Sequence, residues 1–131
     1  MNPSILDQCT LGAFDGTVPF PVTVQRLIAD GVEWYAANLI IGGKTYYGPD
    51  LTHHQSRWPD FTPLPIADLF DAEAVSAAIR ASQAREITYQ QFLVRIASAG
   101  ITYYTVHLSG RKAIYFGRHG DSFTEPFPAG F

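Results

Sequence analysis

Cysteine is nearly absent: Cys9 stands alone in 131 residues, so no internal disulfide can form. The chain must rest on a hydrophobic core, which a chain of this length is able to bury, and a reducing, cytoplasmic setting is expected. A basic excess is missing as well. The formal charge is −3, which argues against a nucleic-acid partner, whose phosphates call for Lys and Arg. Charged residues make up 16% against 47% hydrophobic ones, which excludes a disordered chain. No apolar run approaches the roughly 20 residues that span a bilayer. The N-terminus shows no basic region leading into an apolar core, so neither a signal peptide nor a membrane partner is expected.

Aromatic residues, by contrast, are plentiful, with nine Phe and seven Tyr, and glycine and proline punctuate a repeat. Residues 24–48, VQRLIADGVEWYAANLIIGGKTYYG, read as helix, glycine stop, strand, tight turn, strand. Residues 93–117, LVRIASAGITYYTVHLSGRKAIYFG, read the same way. The offset is 69 residues without a gap. Arg26/Arg95, Gly31/Gly100, Tyr35/Tyr104, Leu39/Leu108, Tyr46/Tyr115 and Gly48/Gly117 are identical pairs. Extending the offset outward sets the helix at 72–84 on a weaker N-terminal helix, in which Ser4 is a candidate cap and Gly12 and Gly16 are limits. The expectation is an α+β fold. It is a pseudo-symmetric tandem duplication of a helix-helix-three-strand unit, with an antiparallel sheet and helices mainly on one face. It would form a single domain, 1–131, of two repeats (about 1–62 and 70–131) joined by a Pro-rich connector. Each copy alone leaves a sheet face uncovered, so the two should share one core.

Local signals fill in this frame. Phe20 and Pro21 open a helix whose apolar stripe is Val24, Leu27 and Ile28, and Gly31 stops it. The next segments read as a strand at 33–41, a two-residue turn at Gly42-Gly43, a returning strand from Lys44 to Tyr47 and a third at 51–55. In the second half Asp71 is an N-cap, and Thr88 with Gln91 forms a capping box. Strands follow at 102–108, 112–117 and 122–127.

Alternation along the strands separates two faces. Tyr35, Ala37, Leu39 and Tyr46, with Tyr104, Val106, Leu108 and Tyr115, form the face assigned to the core. The opposite face carries Trp34, Asn38 and Tyr47, matched by Tyr103, His107 and Phe116. These six residues, with His54, are the candidate ligand- or partner-binding positions. The six on that face fit an ordinary outer sheet face with cross-strand aromatic pairs, a subunit interface or a ligand platform.

Chemical motifs are few. Gly43-Lys44-Thr45 resembles the end of a phosphate-binding loop, but Asn38 stands where that pattern needs glycine and a strand follows in place of a helix. His53 and His54 are adjacent and so point to opposite faces. His54, His107 and an acidic residue could meet only through the tertiary fold, and no spacing matches a metal motif. Cys9 has no visible base, there is no nucleophile elbow, and His119 lies in a turn. No catalytic residue, metal or cofactor is expected.

AIRASQ, a helix ending in Ala-Gly before an aromatic strand, and YFGRHGD followed by EPFP make the chain similar to the YbcV-like bacterial proteins. This family is of unknown function and is often labelled phage envelope protein. The resemblance covers nearly the whole chain, including PFPVTVQRLIADGVEWYAANL and KTYYG. It implies an α+β fold and a histidine on the last strand of each copy, which His54 matches and Phe123 does not. The functional expectation is a small binding or interaction module, homodimeric and without catalysis, that takes an unidentified small molecule or protein. One alternative is a small-molecule sensor or enzyme using the aromatic/His face, and a second is a phage-related structural protein.

Overall fold

The computed structural model describes residues 1–129. Among these, four helices and six strands run in the order α1 (Pro3–Phe14), α2 (Phe20–Ala29), β1 (Trp34–Asn38), β2 (Gly43–Tyr47), β3 (His53–Arg57), α3 (Ala72–Gln83), α4 (Tyr89–Ser98), β4 (Ile101–His107), β5 (Lys112–Gly117) and β6 (Ser122–Pro126). Adding 69 to the bounds of α1, α2 and β3 reproduces those of α3, α4 and β6. The strands form one antiparallel sheet in the order β3-β2-β1-β4-β5-β6, so the two repeats join at the β1–β4 seam.

The register at that seam is that of a twofold axis. Ala36 pairs with Thr105, its own counterpart 69 residues on, and Tyr35–Val106 is the mate of Ala37–Tyr104. The buried residues on one side of the sheet, including Tyr35, Tyr46, Tyr104 and Tyr115, join Leu6 and Cys9 of α1, Leu27 of α2, Val75 of α3 and Leu93 and Ile96 of α4 in one core. Helices thus cover this face, as the alternation of the strands requires.

The helix signals act as their chemistry dictates. Asp71 accepts the Ala74 N–H at 3.1 Å. Thr88 and Gln91 make both halves of the capping box. Gly31 and Gly100 follow α2 and α4 with φ of +88° and +93°, the left-handed conformation glycine adopts cheaply.

Several expected boundaries move. α1 is capped by Asn2, not Ser4: the Asn2 side chain accepts the Ser4 N–H at 3.0 Å. Gly12 lies inside α1 and makes room for the returning chain, since a Cβ there would stand 2.6 Å from Val18 Cγ2. Ile28 is 53% exposed, and Thr23 takes its place on the buried stripe of α2. β1 stops at Asn38, whose Oδ1 accepts the N–H groups of both Ile40 and Ile41 at 2.9 Å. That side-chain bridge turns the chain earlier than the glycine pair suggested, and Gly43 is already in β2. β3 begins at His53, after Leu51 turns with φ of +60°.

Candidate functional site: an unpaired lysine at the pseudo-twofold axis

Lys44 lies two residues before Tyr46 on β2, so it shares the face that the helices cover. It is buried, at 3% exposure. Its Nζ stands 5.1 Å from the ring centroids of both Tyr35 and Tyr89, within the range where a ring face attracts a cation. No carboxylate or carbonyl among the described residues accepts from it. Burial without a counter-charge pulls its pKa from 10.5 down to about 8, the thiol of Cys9 acting weakly the other way.

Lys44 borders a cavity of about 840 Å³ between the sheet and the N-terminal ends of α2 and α4. Its walls come in pairs related by the 69-residue offset: Tyr35 with Tyr104, Phe20 with Tyr89, and Thr23 with Phe92. Val18 with Ile87 and Pro19 with Thr88 complete the rim. The cavity therefore sits on the pseudo-twofold axis, where the two helix pairs part. The tyrosine hydroxyls are protonated donors. Burial raises the pKa of Tyr35, Tyr89, Tyr104 and Tyr115, and Tyr89 and Tyr104 share a hydrogen bond of 2.5 Å.

The charges break this symmetry. Opposite Lys44, at the equivalent position, is the buried Ala113. At the mouth, Arg85 holds the left-handed conformation (φ +57°) that Gly16 holds in the other repeat (φ +77°). Glu125 lines the side opposite Lys44, where Ser56 is its counterpart. A duplicated framework thus encloses an asymmetric set of charges, with one cation deep, one at the rim and one carboxylate, Glu125, on the side away from Lys44. Such a site suits a ligand with an apolar or aromatic body and an acidic group.

The residues singled out from the sequence lie elsewhere. Trp34, Asn38, Tyr47, Tyr103, His107 and Phe116 share the opposite sheet face, and none of them lines the cavity. Tyr47 and His107 both stack on Trp34, at 4.0 and 5.7 Å between centroids, and Tyr103 stacks on Phe116 at 4.7 Å. His107 Nε2 lies 2.9 Å from Thr105 Oγ1. Partial burial, and after it the Lys112 ammonium, lower the pKa of His107. The Asn38 amide oxygen is engaged by its turn. His54 pairs with Tyr46 and so lies on the helix face, where Nε2 is 2.8 Å from Asp7 Oδ1. His54 and His107 are therefore on opposite faces, and no cluster of His, Cys, Asp or Glu that could hold a metal occurs among the described residues. No helix among them is long and apolar enough to cross a membrane.

A family model described as "Protein of unknown function (DUF1398)" matches residues 15–125. The chain belongs to this family. Uncharacterised proteins of Mycobacterium tuberculosis and Mycobacterium bovis are 29% identical to it over 113 residues, which is 84% of this chain and 67% of theirs. The matched segment contains the whole sheet up to Glu125, α2 to α4, and each of the cavity residues named above.

The sequence reading missed Lys44, although the signal was present. A lysine two residues from Tyr46 must share its face, and that face had been assigned to the core. Gly43-Lys44-Thr45 lies in the strand β2 and not in a phosphate-binding loop, and the alternation of that strand is what turns the lysine inward.

Proposed function

We propose that this protein binds a small organic acid in the axial cavity, with the acidic group on Lys44 and an apolar or aromatic body against the tyrosine and phenylalanine walls. The observation that carries this reading is that Lys44 is buried over two tyrosine rings with no counter-charge among the described residues, at a position the fold does not need charged. The other repeat fills the equivalent position with Ala113. A buried, unpaired ammonium costs stability, and an entering carboxylate would supply its missing counter-charge. At neutral pH a group with a pKa near 8 is about nine-tenths protonated, so the cation is present when the ligand arrives. Arg85 at the mouth adds attraction for an anion.

The test is thermal unfolding in the presence of benzoate, phenylacetate and octanoate, for the native chain and for Lys44→Met and His107→Ala. A ligand at a hundredfold excess over its dissociation constant adds about 2.7 kcal/mol of stability. The expected result is stabilisation of the native chain by at least one carboxylate, lost in Lys44→Met and retained in His107→Ala, whose side chain is on the other face. Stabilisation that survives Lys44→Met unchanged would move the site elsewhere.

A further inference from the structure

We propose that Lys44 is a reactive amine that captures an aldehyde or ketone in the axial cavity as an imine. This deepens the preceding reading, since it rests on the same cavity admitting a small molecule. Three features of the geometry carry it. Nζ has no acceptor among the described residues, so no carboxylate pins the amine in its charged form. The Lys44 residue is buried, at 3% exposure, and it borders a cavity with room for a ligand. The ring it lies over, Tyr89, carries a hydroxyl paired with that of Tyr104, which places proton-donating phenols in the same cavity.

The step balances without any further reagent. The Nζ lone pair forms the C–N bond while the carbonyl π pair moves to oxygen. That oxygen leaves as water with the two amine protons, and a C=N bond replaces C=O. A phenol of the Tyr89–Tyr104 pair assists by lending a proton to the departing oxygen and taking one back from nitrogen. The lowered amine pKa, about 8, supports the proposal by leaving a useful neutral fraction near neutrality, as for lysines activated by desolvation in other folds.

The sequence supplies its own control, because it contains only two lysines, Lys44 and the exposed Lys112. The full-length protein is incubated with benzaldehyde and cyanoborohydride near neutral pH, and the benzyl groups are located by peptide mapping. The expected result is labelling of Lys44 faster than Lys112 by about tenfold or more, slowed by added benzoate. In Lys44→Arg, which has no primary amine at that position, label is expected only on Lys112 and on the α-amino group of Met1. Lys44 labelled no faster than Lys112 would overturn the imine proposal. If benzoate, phenylacetate or octanoate still stabilised the native chain in that case, the organic-acid reading would stand alone; if none did, both readings would fall.

Discussion

At the scale of single residues, Lys44 is where local rules yield. Its folded pKa of about 8 lies below its usual 10.5, so the native state bears the burial cost in full below pH 8. As pH rises from 8 toward 10.5, the unfolded chain holds the extra proton and stability recovers. The groups that face Lys44 are Cys9 from α1, Tyr35 from the sheet and Tyr89 from α4, and Glu125 of β6 lines the far side of the same cavity. Burial raises the pKa of Cys9, Tyr35 and Tyr89 above their usual 9.0 and 10.0. They therefore take stability away as pH rises past those values, and they do so in any variant that keeps them. The difference between Lys44→Met and the native chain isolates the lysine. In urea denaturation Lys44→Met is expected to be more stable by about 3 kcal/mol at pH 7, which is the free energy that separates a pKa of about 8 from one of 10.5. The advantage should shrink as pH rises above 8 and approach zero only above about pH 10.5. A pH-independent difference would mean that the amine is not buried uncompensated. Sequence could place Lys44 on the inner face by alternation, but not show that no carboxylate reaches it. That depends on side chains from α1, α4 and the distant repeat.

At the scale of elements, the readable signals were those whose partners lie within a few residues. The Thr88–Gln91 box, the Asp71 cap and the glycine stops needed only local chemistry. The missed boundaries each involve a competing contact. Asn38 bridges two N–H groups and ends β1 early. Gly12 sits within α1 as the small residue against which Val18 returns. The repeat offers a matched experiment on this distinction. Gly31 and Gly100 are counterparts with φ of +88° and +93°. A Cβ on Gly31 would meet nothing within 4 Å, whereas one on Gly100 would stand 2.7 Å from the Leu69 carbonyl oxygen. Gly31→Ala should therefore cost about 1–2 kcal/mol for backbone conformation alone. Gly100→Ala should cost distinctly more, because the clash is with backbone that cannot rotate away. Equal losses of denaturation midpoint would contradict this account of the Leu69–Gly100 contact.

At the scale of the whole molecule, duplication explains both what was legible and what was not. The offset of 69 residues and the alternation of the strands were enough to foresee two helix-helix-three-strand units and which face the helices cover. The seam was not readable, because β1–β4 pairing is set by contacts across the chain. Only that pairing places Tyr35 and Tyr104, and with them Lys44 and Ala113, around one axis. The aromatic outer face is legible in the alternation of the strands, whereas a cavity between the helix pairs leaves no trace in a periodicity. The central claim is that a lysine amine waits unpaired in that cavity, and lysine-labelled carbon NMR across pH tests it most directly, since Lys44 and Lys112 give just two signals. The account predicts one resonance titrating near 8 and moving to higher pH when a carboxylate is bound. If both resonances titrated together at or above the usual 10.5, Lys44 would be solvated or already paired, and the axial site would lose its basis.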